Sequence, residues 1–173
     1  MNGISITIVE LLIKGVPEGL LLILALHLFT RTKIETKKYF ALSVSYVVIT
    51  YFIRMLPIQL GINTMLSILT LVLLYQLAYR SQLEKLAKLV ASAVAILILI
   101  MISEALNIVL LKMIFGMDKT LELLSSNNGL TKSFSTIPST VFTAIFILAV
   151  DMLLKKLERR KKVDGETGSS SGS

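Results

Sequence analysis

The sequence predicts an all-α polytopic membrane protein, a bundle of five transmembrane helices with the N-terminus outside and the C-terminus in the cytoplasm. Composition is the first reason. The 173 residues are 54% hydrophobic and only 17% charged, against about 25% charged in a typical soluble chain. A soluble domain of this size hides only about 70% of its surface, too little for so apolar a chain. The second reason is spacing: five apolar segments reach the 17–25 residues, roughly, that a helix needs to cross the hydrocarbon core. The third is that the loops between them alternate between basic and nearly uncharged.

The segments are about Ile4–Thr30, Tyr39–Leu56, Ile62–Tyr79, Leu86–Phe115 and Ile137–Leu154. The first is retained rather than cleaved: it has no basic leader, it is longer than a signal-peptide core of about 7–15 residues, and it contains charges. The fourth is long enough to tilt or protrude. Thirteen of the eighteen basic residues lie in Arg31–Lys38, Arg80–Lys88 and Lys155–Lys162, whereas the alternate loops hold only Lys119 and Lys132. Cytoplasmic loops carry the excess of Lys and Arg, so this asymmetry sets the orientation, and an even number of spans would break the alternation. In the loop before the last segment, Met117–Leu124 is amphipathic enough for a short interfacial helix. Ser125–Gly129 reads as a turn, and Pro138 suits the first turn of the last helix.

Residues 1–162 form one transmembrane domain. Residues 163–173 are a polar Gly/Ser tail of linker composition, either native or an appended scar. No internal repeat supports an inverted-repeat transporter.

Several chemistries are excluded. With no cysteine and a single histidine, thiolate metal sites, Fe–S clusters, Cys/His peptidases and His-cluster metal centres are ruled out. No phosphate-binding Walker loop, Gly-x-Ser-x-Gly or His-Glu-x-x-His occurs. No enzyme, catalytic residue, metal or cofactor is expected. The net charge of +7 is explained by membrane orientation, so nucleic acid is not an expected partner.

The informative residues are the ions at membrane depth, each costing about 2.5–3.5 kcal/mol at the bilayer centre: Glu10, Lys14, Glu18, Arg54, Glu104, Lys112 and Asp151. Glu10, Lys14 and Glu18 share one helix face by their i, i+4, i+8 spacing. Given the orientation, Glu10, Arg54, Glu104 and Asn107 lie at compatible depths, so with Lys14 and Glu18 they are candidates for a ligand-binding or gating pocket open to the outside. The competing expectation is structural: intrahelical pairs, snorkelling of Arg54 and Lys112, and Glu104 joining two helices. Asp151 is read as an interfacial pair with Lys155, and His27 as a headgroup-level polar residue. Pro17 removes a backbone hydrogen bond and is expected to kink the first helix, and Gly15 and Gly19 give a small-residue surface for close helix approach. Gly15, Pro17 and Gly19 are therefore the candidate hinge, against a plain packing kink.

With Lys14–Gly19 and the turn Arg54–Thr64 in view, the chain resembles the multi-span N-terminal membrane domains of signal-sensing histidine kinases of Firmicutes, the accessory-gene-regulator-receptor type, and related stand-alone membrane proteins. The resemblance covers Ile4 to about Lys162. It rests on the Pro-Glu kink, an Arg-x-x-Pro outer turn and the basic exit from the last helix. It implies a bacterial sensor whose helical bundle reads an extracellular or in-membrane signal and passes it down the last helix. The family's dimerisation helix and ATP-binding domain do not follow Lys162, so the chain is expected to be either a truncated sensor or a protein without its own kinase.

Three functions follow as expectations. The first is a sensor or regulator relaying a signal through the last helix. The second is the substrate-binding membrane subunit of an importer, or a small ion-coupled carrier, with Glu10, Lys14 and Glu104 as ligands. The third is a structural or assembly protein without a ligand. Expected partners are the lipid bilayer, a cytoplasmic signalling partner or anionic lipid at Lys155–Lys162, and a second copy in a homodimer.

Overall fold

The computed structural model describes residues 11–56, 60–79, 83–126 and 128–167. Among them there are helices and no strands. A π-helical turn, Leu11–Gly15, leads into α1 (Val16–Thr30). Then follow α2 (Thr36–Met55), α3 (Leu60–Tyr79), α4 (Leu83–Phe115), the short α5 (Met117–Ser125) and α6 (Gly129–Thr167).

Three stretches are long and apolar enough to cross a membrane: Leu11–Thr30, Leu86–Phe115 and Leu130–Arg160. The other two expected spans differ in character. α2 has 20 residues, about 30 Å at 1.5 Å per residue, but carries Lys37, Lys38 and Arg54. In α3 the apolar part is the shorter Met65–Tyr79.

α1 is the hub. It packs against α2, α4 and α6, while α3 lies outside it against α2 and α4. The core is apolar and built on α1: Leu22, Ile23, Ala25, Leu26 and Phe29 meet Leu42, Tyr46, Leu71, Tyr75, Leu89, Ala93, Ile96 and Ile147. The outer surface is apolar too. Met65, Leu69, Leu73 and Leu77 make an exposed stripe on α3, as do Val94, Ile98, Met101 and Ile102 on α4. Large contiguous apolar surface of this kind is unusual in soluble monomers and is consistent with contact with a lipid bilayer.

Gly19 explains how closely α1 and α2 approach. A Cβ placed there would lie 2.4 Å from Val47 Cγ2 and 3.4 Å from Tyr46 Cδ1, so only hydrogen fits. Gly15 has no such neighbour on another helix; its added Cβ would meet Leu11 Cδ1 of the preceding turn at 3.1 Å. Of the two expected small-residue contacts, Gly19 makes the interhelical one.

Pro17 sits in the first turn of α1, just after the π-turn, so the helix changes type next to the expected kink. Pro138 is not in the first turn of the last helix, which starts at Gly129 and holds Pro138 in its interior. Hydroxyls around it bond the helix carbonyls: Ser135 donates to Thr131 (2.8 Å), Thr136 to Ser133 (3.0 Å) and Ser139 to Thr136 (2.7 Å). The carbonyl that Pro138 leaves without its helix donor is that of Phe134, and none of these hydroxyls donates to it.

The short helix expected at Met117–Leu124 is present as α5, entered through Gly116 at φ +80°. That left-handed conformation suits glycine.

Candidate functional site

The π-turn, α1, α4 and α6 meet around a small cleft. Glu18 of α1 and Glu104 of α4 line it with the hydroxyl residues Ser139, Thr140 and Thr143 of α6. Lys14, in the π-turn one helical turn before Glu18, reaches Glu104: Nζ to Oε1 is 4.0 Å. The structure thus brings Lys14, Glu18 and Glu104 together across two helices. Ser139 donates to the carbonyl of Thr136, and Thr143 donates to that of Ser139 at 2.9 Å. Each hydroxyl has one hydrogen, so these oxygens can act toward the cleft only as acceptors.

The Lys14–Glu104 contact is loose, because Glu104 is 54% exposed and 4.0 Å is the outer limit of an ion pair. Pairs of that kind contribute about 0–1 kcal/mol.

Asn107 lies one turn beyond Glu104 but turns away from the cleft into the α4–α6 seam. It is 3% exposed and donates to the Ser135 carbonyl at 3.0 Å. It therefore joins two helices. Glu10 lies outside the described residues. Arg54 falls in the last turn of α2, and its side chain is outside the described set. Among the described residues no group of His, Asp and Glu is arranged to hold a metal ion.

A second polar centre, at the other end of α1, is denser. His27 is 1% exposed. Its Nδ1 lies 2.7 Å from the Ile23 carbonyl and its Nε2 2.8 Å from the Tyr79 hydroxyl. A carbonyl only accepts, so Nδ1 carries the hydrogen and Nε2 accepts from Tyr79. Tyr39, Tyr75 and Tyr79 surround the imidazole edge-on, with centroids 6.0, 5.1 and 5.3 Å away. His27 is thus buried between helices and fully hydrogen-bonded. The signal for this was Tyr75 and Tyr79, four apart on one face of α3, at the end of the bundle that also holds Tyr39.

Next to it lies the densest ionic cluster among the described residues. Asp151 is 4% exposed. Arg31 Nη1 meets its Oδ1 at 2.5 Å, and Lys155 Nζ meets its Oδ2 at 2.6 Å. Arg31 Nε also binds Glu158 at 3.2 Å. Burial alone would lower the pKa of Arg31, but its bonds to Asp151 and Glu158 outweigh that and raise it above its ordinary value. Arg31 stays charged. The expected Asp151–Lys155 pair is present; Arg31 as third member was not anticipated.

Arg31 also ends α1. Its φ is +58°, the one non-glycine residue with positive φ among those described. The His27 carbonyl accepts from the backbone of both Arg31 and Thr32, which is how a helix closes on a left-handed residue. The turn aims the guanidinium at α6.

Comparison with protein-family models, with curated proteins and with solved structures finds no match to this chain.

Proposed function

We propose that this chain is a membrane-embedded sensor or regulatory module. In this reading it spans the bilayer five times, N-terminus outside and C-terminus in the cytoplasm. A signal engages the cleft at Lys14, Glu18 and Glu104, and α6 relays the change to a cytoplasmic partner at Lys155–Lys162. The likeness to multi-span kinase sensor domains belongs to the same proposal, as does the absence of a catalytic step.

The observation that carries it is the continuity of α6. One helix of 39 residues supplies the hydroxyl wall of the cleft and the buried Asp151 clamp, and it continues into the basic end. The π-turn packs on α6 and on α2, so a change near Lys14 bears directly on the relay. The two ionic joins made from the two ends of the first helical segment also differ in strength: one is to α4 and the other to α6. The Lys14–Glu104 contact is weak enough for a signal to displace, whereas the buried, doubly paired Asp151 holds α6 to α1. The loose join lies at the cleft and the firm one at the far end of α1, so in this reading a displaced π-turn acts on α6 through its own packing and that of α1 against α6. The acceptor-only hydroxyls beside two carboxylates favour a signal that presents hydrogen-bond donors or positive charge.

The absence of cysteine makes a clean test available. Asp118→Cys is expected to react with an impermeant maleimide on intact cells, and Arg160→Cys only after permeabilisation. The reverse pattern overturns the orientation. For the relay, nitroxides at Lys37→Cys and Leu157→Cys report the distance between α2 and the end of α6. Lys14→Met and Glu104→Gln should each shift that distance distribution, while Met101→Leu, on the exposed face of α4, should not. Folded cleft variants with an unchanged distribution refute the relay.

A further inference from the structure

The basic end of α6 is divided by helix geometry into two faces with different tasks. Facing inward are Asp151, Lys155 and Glu158, all joined to the Arg31 cluster. Facing outward, Val141, Ile145, Leu148 and Met152 are exposed apolar residues spaced by four, three and four. The same stripe continues by four and three into Lys156 and Arg159, with Arg160 beside them, all exposed. Within residues 151–160 the two acids, Asp151 and Glu158, are bound to Arg31 and Lys155 and not to these three cations.

We infer that this outward face of α6 is a binding site for an anionic phospholipid. The headgroup phosphate is held by Lys156, Arg159 and Arg160, and an acyl chain lies along Met152, Leu148 and Ile145. The dimensions agree. Val141 to Met152 spans about 16 Å at 1.5 Å per residue, close to the roughly 15 Å that is half of a hydrocarbon core. The next turn lifts the cations to headgroup level. Arginine presents a planar fork that matches phosphate oxygens. With Asp151 and Glu158 on the inner face, the outward face between residues 152 and 160 carries charge of one sign, which draws an anion. An acidic protein segment would satisfy the cations, but not the apolar stripe that runs into them. The inference depends on α6 lying in a bilayer and not on the sensor reading.

The test uses the purified full chain in mild detergent, with bound lipid counted by native mass spectrometry during titration with phosphatidylglycerol or phosphatidylcholine of identical chains. Wild type is expected to prefer phosphatidylglycerol. The triple variant Lys156→Gln/Arg159→Gln/Arg160→Gln should lose that preference by about a hundredfold, since each surface cation near an anionic headgroup contributes roughly fivefold. The single variants should each lose about fivefold, which keeps the test decisive if the triple variant folds poorly. Lys33→Gln/Lys37→Gln, which removes exposed charge from the α1–α2 connection and the start of α2, should keep the preference. No preference in wild type overturns the site and leaves the cations to an acidic protein partner. A preference that survives the triple substitution, or falls equally in the Lys33/Lys37 control, overturns it as well.

Discussion

Replacing Arg31 should separate a strained helix terminus from an ordinary one. Arg31→Ala removes a charge-assisted hydrogen bond to a buried carboxylate, worth about 1.5–3 kcal/mol, and an exposed pair with Glu158 worth at most about 1 kcal/mol. Asp151 keeps Lys155 at 2.6 Å, so it is not stripped of all countercharge. The loss should therefore stay below the roughly 3–5 kcal/mol of an orphaned buried charge, at about 2–3 kcal/mol. Arg31→Gly removes the same bonds but also relieves the left-handed conformation at φ +58°, which costs a residue with a Cβ about 1 kcal/mol. The glycine variant should thus be about 1 kcal/mol more stable than the alanine variant. Inside an ordinary helix the order is opposite, with glycine about 1 kcal/mol worse than alanine, so the sign is diagnostic. Unfolding by a denaturing detergent, followed by far-ultraviolet circular dichroism, measures both. A double-mutant cycle with Asp151→Asn should return a coupling of about 1.5–3 kcal/mol. Additive effects of Arg31→Ala and Asp151→Asn, or a glycine variant no better than the alanine variant, would refute the account of this terminus.

Three further outcomes follow from the packing. Gly19→Ala should destabilise the chain, because a Cβ 2.4 Å from Val47 Cγ2 imposes overpacking of about 1–3 kcal/mol against a helix-propensity gain of up to about 1 kcal/mol; adding Val47→Ala should recover most of the loss in the same unfolding assay. Tyr79→Phe leaves the buried Nε2 of His27 without its donor and should cost about 1–2 kcal/mol, with a smaller increment when His27→Phe is already present. Glu104→Gln should change stability by less than about 1 kcal/mol, so an effect on the α6 label distance without a loss of stability would mark it as a relay residue and not a structural one.

The local features of this chain were legible in its sequence, and the distant ones were not. Helical content, the apolar runs and α5 follow from hydrophobic periodicity and length. The Asp151–Lys155 pair follows from i, i+4 spacing. Its third partner, Arg31, is 120 residues away, and no periodicity connects a loop to a helix across that distance. His27 illustrates the same limit: alone in sequence it reads as an interfacial residue, and only the arrangement of the helices places it beside Tyr75 and Tyr79. The start of α6 was missed for a different reason. Residues 129–136 lack an apolar pattern, and proline usually marks a helix boundary. The helix nonetheless runs through Pro138, and it packs against α4 and α5. The cleft was partly legible, since Lys14 and Glu18 share a face by spacing and Glu104 joins them. Asn107 was drawn to the seam by the Ser135 carbonyl.

The placement of ions in this fold tracks how much movement each can tolerate. A carboxylate in apolar surroundings needs partners in proportion to its burial, because an unpaired buried charge costs several kcal/mol. Asp151, at 4% exposure, has two cations within 2.6 Å and cannot lose both without unfolding its surroundings. Glu104, at 54%, keeps access to its surroundings and holds Lys14 only at the limit of contact. Moving Glu104 costs little, and moving Asp151 costs much. A displacement that begins at the Lys14–Glu104 contact is therefore the inexpensive one, while Asn107 holds α4 to α6 and Arg31 holds α1 to α6. Strengthening the first join while leaving the second unchanged, for instance by Lys14→Arg, should stiffen that motion and narrow the label distance distribution between positions 37 and 157, and a broadened distribution in that variant would contradict the assignment of Glu104 as the movable end.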